Sequence, residues 1–254
     1  MAAEPLNILD LTHVTKRFDF QGREIVALED ASLAIRKGEF VCLIGPSGCG
    51  KSTLLRMIAG FENASEGALN MWDKPIGAPG PDRGMVFQDY GLFPWLTVSR
   101  NVGFGPAARG RPAAEVAETT RRFVDMVGLT RFAEAYPHQL SGGMKQRVAI
   151  ARVLANEAEV VLMDEPFGAL DAMTRENLQQ ELLEIWQRTK LTVIFVTHAI
   201  EEAILLADRI VVMSPGPGRI VADERVDLPR PRDPTAPDFN ALRRRFSTML
   251  GGHH

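Results

Sequence analysis

The sequence predicts an α/β fold with a mostly parallel β-sheet, and two features of its pattern support that fold class. Continuous apolar runs occur at 40–44 and 160–163, and such runs are typical of strands that are buried on both faces of a parallel sheet. In the second half of the chain, strand-like runs alternate with segments whose apolar residues recur at helical spacing. This alternation favours a doubly wound sheet.

The first half of the chain predicts strands, then a helix, then a helical insertion. Partial alternation of apolar and polar residues at 8–14 and 31–35 predicts two strands of a small antiparallel sheet. The run Phe40–Ile44 predicts a buried strand, and the residues at 54–59 predict the helix that follows it. Prolines punctuate the next stretch, in which helical spacing over 112–127 predicts an inserted helical segment.

The second half repeats the alternation of strand and helix. The predicted elements are a buried strand at 160–163, a helix at 172–189, a strand at 192–197, a helix at 200–207 and a strand at 209–213. The prolines after Leu228 predict a mostly extended tail.

Composition limits the classes of protein to consider. Apolar residues make up 45% of the 254-residue chain and charged residues 24%, which is ordinary globular usage and excludes a disordered chain. The net charge of −3 argues against nucleic acid as the main partner. Cys42 and Cys49 are too few for a disulfide framework and lack metal-ligand spacing. No apolar run approaches the ~20 residues that span a bilayer, and the first ten residues do not resemble a signal peptide. If the protein works at a membrane, we expect another chain to hold it there.

A glycine-rich segment after the first buried strand fits the phosphate-loop pattern G-x-x-x-x-G-K-[ST]. Its residues are Gly45, Pro46, Ser47, Gly48, Cys49, Gly50, Lys51, Ser52 and Thr53. Glycines let backbone N–H groups close around phosphate oxygens, and the following helix N-terminus favours an anion. Lys51 is expected to reach the β- and γ-phosphates, while the Ser52 hydroxyl is expected to bind Mg²⁺.

Polar residues that end two later strands suggest the chemistry at these phosphates. Asp164 and Glu165 follow the strand at 160–163, at the sheet edge where ligands bind in open α/β folds. We expect Asp164 to hold Mg²⁺ and Glu165 to act as the general base that polarises the attacking water. His198 follows the strand at 192–197 and is expected to contact the γ-phosphate, whereas His13 and His138 lack such a context and are interpreted as structural.

A second anion site is predicted at residues 141–143. Ser141 is a good N-cap for a helix through 148–154, and Gly142 and Gly143 leave the first backbone N–H groups uncovered. A single chain does not need a second anion-binding site for the same γ-phosphate. A two-fold dimer has a use for such a site, because each subunit can close on the nucleotide of its partner.

Together these motifs resemble the nucleotide-binding subunit of an ATP-binding cassette (ABC) transporter, in the order that the family has and over about residues 6–222. The segment at 45–53 resembles Walker A, 160–165 resembles Walker B, and 140–146 resembles the ABC signature, with Met144 where the family often has Gln. Gln88 resembles the Q-loop glutamine, the run Ala169, Leu170 and Asp171 resembles the D-loop, and His198 stands at the position of the switch histidine.

The resemblance implies a P-loop NTPase (RecA-like) core at about 6–88 and 158–222, with an N-terminal antiparallel β-subdomain. It further implies an inserted α-helical subdomain at about 89–157, and it leaves an extended tail with a short helix at 223–254. ATP and Mg²⁺ are the implied ligands, with Ser52, Gln88 and Asp164 around the metal. Phe18 is the best match for the aromatic residue that stacks on adenine, and Phe20 is the competing candidate.

The tail sharpens the resemblance. Residues 214–221 and 226–232, with the Ser-Gly-Gly-Met signature, are similar to the ATPase subunits of nitrate/sulfonate/taurine-type importers. The implied protein is a homodimeric ATPase at the cytoplasmic face of the inner membrane, bound to a membrane permease that receives solute from a binding protein. The alternatives are an export or lipid-trafficking ABC ATPase, a soluble ABC ATPase without a permease, and an unrelated phosphate-loop kinase.

The stretch 89–96 is the candidate contact with the permease. It holds three aromatic residues in a chain that is 7% aromatic, directly after Gln88. Aromatic residues are enriched at the centres of protein interfaces. One interpretation is a groove for a short permease helix, and the other is a small core under the helical insertion.

Overall fold

The computed structural model describes residues 6–168 and 170–251. The chain divides into two compact units, one with the described residues up to Pro79 and from Trp186 onward, the other with Gly80–Ile185. The helices and strands, in chain order, are β1 (Asn7–Phe20), β2 (Arg23–Arg36), β3 (Phe40–Ile44), α1 (Lys51–Ala59), β4 (Glu66–Met71), β5 (Lys74–Pro75), β6 (Arg83–Val86), α2 (Val98–Ala108), α3 (Ala113–Met126), α4 (Gly142–Ala155), β7 (Val160–Asp164), α5 (Ala172–Thr189), β8 (Thr192–Val196), α6 (Ile200–Leu206), β9 (Arg209–Met213), β10 (Ile220–Arg225) and α7 (Pro237–Gly251).

An antiparallel sheet opens the first unit, with strand order β2-β1-β4-β5. The long strands β1 and β2 form a hairpin that pairs from Asn7 with Arg36 to Phe20 with Arg23. Apolar residues of the hairpin, such as Ile8 and Ile35, are fully buried. The predicted small antiparallel sheet is confirmed, and it is larger than the two predicted strands because β4 and β5 join it.

The core of the first unit is built on β3, whose five residues are all buried. β3 lies parallel to β8 on one side and to β9 on the other, and β10 adds an antiparallel edge to β9. The ring of Phe40 packs 5.9 Å, centroid to centroid, from Trp186 and also from Phe195. Burial of both faces explains why these strands have continuous apolar sequences.

The second unit combines a short parallel pair of strands, β6 and β7, with a group of helices. α2 packs against α3 and α4, and α4 packs against β6. α4 and β6 approach closely at Gly84 of β6, where a Cβ atom would lie 2.2 Å from Cγ1 of Val153 in α4. The helical subdomain at about 89–157 stays a prediction as a separate domain.

Two local predictions need amendment. α2 has Pro106 in its interior, although the sequence predicted a helix only from residue 112 onward. The tail beyond 228 is irregular only as far as 236, and α7 then extends over 15 residues rather than forming a short helix. No helix in the described part of the chain is both long and apolar enough to cross a membrane.

Candidate functional site

The phosphate loop connects the end of β3 to the start of α1. Gly48 and Gly50 have φ of 79° and 88°, values that a side chain rarely adopts. Gly50 caps α1 without a side-chain hydrogen bond, so the first N–H groups of the helix are not covered by a capping side chain. This is the backbone arrangement that holds phosphate oxygens in loops of this type.

Lys51 is buried at the first position of α1 and folds back over the loop. Its Nζ donates hydrogen bonds to the carbonyls of Gly45 and Pro46 at 2.8 and 2.9 Å. The Sγ of Cys49 lies 3.5 Å from the same nitrogen. The ammonium group therefore lies within the loop that would surround the phosphates.

The β1–β2 hairpin approaches the phosphate loop at Gly50. A Cβ atom on Gly50 would lie 2.6 Å from the carbonyl oxygen of Ala27 in β2. Ile25, two residues before Ala27, pairs with Phe18 of β1. The Nζ of Lys16 lies over the ring of Phe18, 4.7 Å from the ring centroid. Phe18 and Phe20 are 36% and 61% exposed, so both rings are accessible for stacking and the choice between them stays a prediction.

His198 lies at the same edge of the sheet as the phosphate loop. Leu43 of β3 pairs with Val196 of β8, and the N–H of Thr197 donates to the carbonyl of Leu43. The phosphate loop leaves β3 two residues after Leu43, and His198 follows Val196 by two residues. The imidazole is exposed at that edge.

Gln88 and Asp164 come together in the second unit. Val86 pairs with Met163 in the parallel β6–β7 pair, so the residues that follow these strands emerge at one edge. Both side chains line a cavity of about 680 Å³. Its lining residues are Phe87, Gln88, Asp89, Tyr90, Leu92, Pro137, Lys145 and Asp164.

Glu165 follows Asp164 with a strained backbone, at φ 45°. Its carbonyl accepts a hydrogen bond from the N–H of Gly168 at 3.1 Å, which closes a tight turn. A Cβ atom on Gly168 would lie 3.7 Å from Nε2 of Gln88. The turn after β7 thus brings the predicted base and Gln88 to the same part of the unit.

The signature segment forms the start of α4, as predicted. Ser141 caps the helix by accepting a hydrogen bond from the N–H of Met144 at 3.3 Å. A Cβ atom on Gly142 would lie 3.0 Å from Cδ2 of Leu170 and 3.3 Å from the Tyr90 hydroxyl, so a side chain there would require these neighbours to shift slightly. Ser141 is exposed at this helix N-terminus whereas Gly143 is buried, and the second anion site stays a prediction.

Arg152, on α4, is a residue that the sequence analysis did not identify. Its guanidinium donates to the carbonyls of Gly91 at 2.7 Å and Tyr90 at 3.2 Å, and it lies 5.5 Å from the ring centroid of Phe93. Burial lowers the pKa of this arginine. The sequence signal that could have identified it is that Arg152 is the single charged residue in the otherwise apolar stretch 148–155. Through the Arg152 side chain, the signature helix is bonded to the segment that follows Gln88.

Asp171 caps α5 by accepting a hydrogen bond from the N–H of Thr174 at 3.0 Å. The hydrogen bonds from Thr174 lower the pKa of its carboxyl group. Leu170 and Asp171 of the predicted D-loop are described, whereas Ala169 lies outside the described residues.

The predicted magnesium ligands are oxygen donors, which suit that ion. They are the hydroxyl of Ser52, the side-chain amide of Gln88 and the carboxylate of Asp164. Among residues 6–168 and 170–251, no group of three or more His, Cys, Asp or Glu forms a metal site. Proteins usually hold magnesium through one or two carboxylates together with substrate phosphates and water.

Comparison with known proteins gives a consistent family. The sequence model of the family described as "ABC transporter" matches residues 28–168. An uncharacterized ABC transporter ATP-binding protein of Methanocaldococcus jannaschii is 52% identical over 95% of this chain and 91% of its own length. The nitrate import ATP-binding protein NrtD of Synechocystis sp. is 45% identical over 96% of this chain and 95% of its own length.

A further relative and a solved structure extend the comparison. The taurine import ATP-binding protein TauB of Jannaschia sp. is 44% identical over 95% of this chain and 93% of its own length. Among solved structures, the ATP-binding cassette MJ0796, a dimer in a post-hydrolysis state bound to ADP and Pi, is similar with a TM-score of 0.75. It is 34% identical, and the match covers 87% of this chain and 99% of that one. The predicted α/β fold of the P-loop NTPase type is confirmed.

Proposed function

Since the chain belongs to the ABC transporter family and is therefore an ATPase, we propose that it drives a membrane permease that imports a small anionic solute. The observation that carries this proposal is the extent of the similarity to NrtD and TauB. It covers about the whole chain, including the tail beyond the residues that the family model matches. The proposed solutes are therefore of the nitrate, sulfonate or taurine type.

The reaction is attack of water on the γ-phosphate of ATP. Glu165 accepts a proton from the water while the oxygen of the water bonds to the γ-phosphorus. The bond between the γ-phosphorus and the bridging oxygen breaks, and ADP leaves with that oxygen. Lys51 and the loop N–H groups stabilise the negative charge on the phosphate oxygens. His198 contacts the γ-phosphate, and its position at the sheet edge beside the phosphate loop supports that role.

Magnesium would bind to Ser52, Gln88 and Asp164. When bound, the ion neutralises charge on the phosphate oxygens. Gln88 and Asp164 already line one cavity, which supports their joint assignment.

Two copies of the chain form the working ATPase. Ser141 and Gly143 of one copy complete the site on the nucleotide of the other. The phosphate loop of each chain already binds the phosphates of its own nucleotide, so the N–H groups at the capped N-terminus of α4 are available for the nucleotide of the partner. The dimeric state of the similar cassette MJ0796 supports this arrangement. The dimer binds the permease and works at the cytoplasmic face of the inner membrane, and a binding protein delivers the solute to the permease.

The permease contacts the stretch 89–96 and the adjoining helices. Phe93 packs against Trp95 and Phe104 with ring centroids 5.7 and 4.5 Å apart, and Trp95 is 70% exposed. A mostly apolar groove of about 680 Å³ adjoins this cluster, and Phe104 and Leu96 line it. An exposed tryptophan beside an apolar groove favours docking over a closed core.

Solute uptake in the source organism tests the proposal. Deleting the gene should abolish uptake of one solute from a panel of nitrate, bicarbonate, taurine and other sulfonates. The wild-type chain should restore uptake, and the Glu165→Gln variant should not. Unchanged uptake of the whole panel, or a defect in export instead, would overturn the importer assignment and leave the ATPase.

A further inference from the structure

The irregular part of the tail binds the end of α6 through two arginines. The guanidinium of Arg232 donates to the carbonyl of Ala207 at 2.6 Å and also to that of Ile204. The same side chain donates to Leu228 at 3.0 Å and Val226 at 3.1 Å within the tail. One side chain thus joins the last turn of α6 to the irregular tail segment 226–228.

Arg230 makes a second attachment beside the first. Its guanidinium pairs with Asp208 at 2.8 Å and donates to the carbonyl of Leu206. It also lies 4.8 Å from the ring centroid of Trp186, which packs against Phe40 of β3. The end of α6 is therefore tied to the core of the unit as well as to the tail.

α7 makes a third attachment to α6. It packs against α6, and its Phe239 and Phe246 are 1% and 0% exposed. Arg243 of α7 pairs with Glu201 in the first turn of α6. The tail therefore contacts both ends of α6.

α6 depends on such contacts because it is weak as an isolated helix. It has only seven residues, and its N-cap, Ala199, makes no side-chain hydrogen bond. Short helices without caps owe their stability to tertiary packing. Cations at the C-terminal carbonyls satisfy groups that the helix leaves unpaired and interact favourably with its dipole.

The opposite end of α6 adjoins His198. Only Ala199 separates the imidazole-bearing residue from Ile200, the first residue of the helix. The N–H of Ala199 donates to Oγ1 of Thr197 at 3.0 Å, so the connection to β8 is tight. A shift of α6 would therefore move His198 relative to the phosphate loop.

We infer that the tail arginines Arg230 and Arg232 are positioning residues for His198. They hold α6 at its C-terminal end, so that His198 lies where the γ-phosphate must be contacted. This inference rests on the role proposed above for His198. Burial lowers the pKa of Arg232 to about 10, so its guanidinium is still charged at neutral pH.

The test compares Arg232→Gln with Arg244→Gln, a matched change at an exposed position of α7. Arg232→Gln should lower kcat about 10-fold, since misplacing a catalytic group by 1 Å can cost up to ~10²-fold, and should leave the Kd for ATP within about 2-fold. Arg232→Lys keeps the positive charge but loses the planar guanidinium that donates several hydrogen bonds, so its kcat should lie between those of the wild type and Arg232→Gln. Arg244→Gln should match the wild type.

A double variant separates positioning from general destabilisation. In a His198→Ala background, Arg232→Gln should have almost no further effect on kcat, while its effect on Tm should persist. An equal fall in kcat in both backgrounds, or no fall in either, would overturn the inference and leave the proposed function intact. If His198→Ala alone keeps the wild-type kcat, the proposed role of His198 fails and the inference fails with it.

Discussion

At the scale of single residues, Glu165 combines the features expected of the general base. It directly follows Asp164 at the end of β7, and its φ of 45° is held by the turn to Gly168. Strained backbone of this kind costs about 1–3 kcal/mol and occurs most often at functional sites. The position beside Asp164 is the basis for predicting Glu165 as the general base, and the strain is compatible with a functional site.

Glu165→Gln keeps the shape of the side chain and removes the base. We expect kcat for ATP hydrolysis to fall by about 10²–10⁴, the usual contribution of a general base, while ATP binding survives. Glu176→Gln, at an exposed position of α5, is the matched control and should hydrolyse ATP normally. Steady-state phosphate release and equilibrium ATP binding measure the two effects. Near-normal turnover of Glu165→Gln would remove this residue from the mechanism.

At the scale of secondary-structure elements, Arg152 links α4 to the segment after Gln88. Its two hydrogen bonds satisfy the carbonyls of Tyr90 and Gly91, both in a segment with positive φ. The link gives the signature helix and the proposed permease contact a shared position. The Arg152 hydrogen bonds thus connect the signature helix directly to the stretch that is proposed to contact the permease.

Arg152→Gln should destabilise the chain, because it leaves two half-buried carbonyls without this donor, and a fully buried group left without a partner costs about 1–3 kcal/mol. Urea unfolding followed by circular dichroism measures the free energy of unfolding. Arg131→Gln, at an exposed position outside these helices, should leave that free energy unchanged. Equal stability of the two variants would show that the Arg152 contacts contribute nothing.

Trp95→Ala tests the docking surface. Because Trp95 is 70% exposed, we expect the isolated chain to keep its Tm and its affinity for ATP. Co-purification with the permease should fall, since truncating an aromatic anchor often costs about 2 kcal/mol or more. Phe61→Ala, another exposed aromatic at 53%, is the control and should still bind. A lower Tm with unchanged permease binding would favour a small core instead.

The sequence predicted the elements whose local pattern is strong. β3, α5, β8 and β9 have buried apolar runs or helical periodicity, and β3, α5 and β9 were predicted with the observed limits. α2 was missed because Pro106 is typical of a helix boundary, yet it is accommodated in the interior of this helix. The short strands β5 and β6 have too few residues for a period to show.

The residues of the candidate site also differ in how far the sequence could predict them. Motif residues such as Lys51 and Ser141 could be predicted because their chemistry requires adjacent residues in a fixed pattern. Arg152 and Arg232 could not, because their partners lie 61 and 25 residues away in sequence. Contacts of that range leave no local pattern, and a proline- and arginine-rich tail is equally compatible with a solvated extension.

At the scale of the whole molecule, the proposed ATPase consists of two copies of the chain that act together. Lys51 belongs to the phosphate loop of one copy, and Ser141 belongs to the signature that is proposed to act on the nucleotide of the other. The similar cassette MJ0796 is a dimer bound to ADP and Pi, which supports this division of the site. If it is correct, defects in the two motifs must complement each other.

Mixing two inactive variants, Lys51→Ala and Ser141→Arg, tests this most directly. Each homodimer has both sites defective, whereas a mixed dimer has one site with both defects and one intact site. With free subunit exchange, half of the dimers are mixed, so ATPase activity should rise to about one quarter of the wild-type value if the sites act independently. Two different affinity tags on the variants confirm that mixed dimers form. Recovery on mixing is the predicted result, and no recovery in purified mixed dimers would contradict a site shared between two copies.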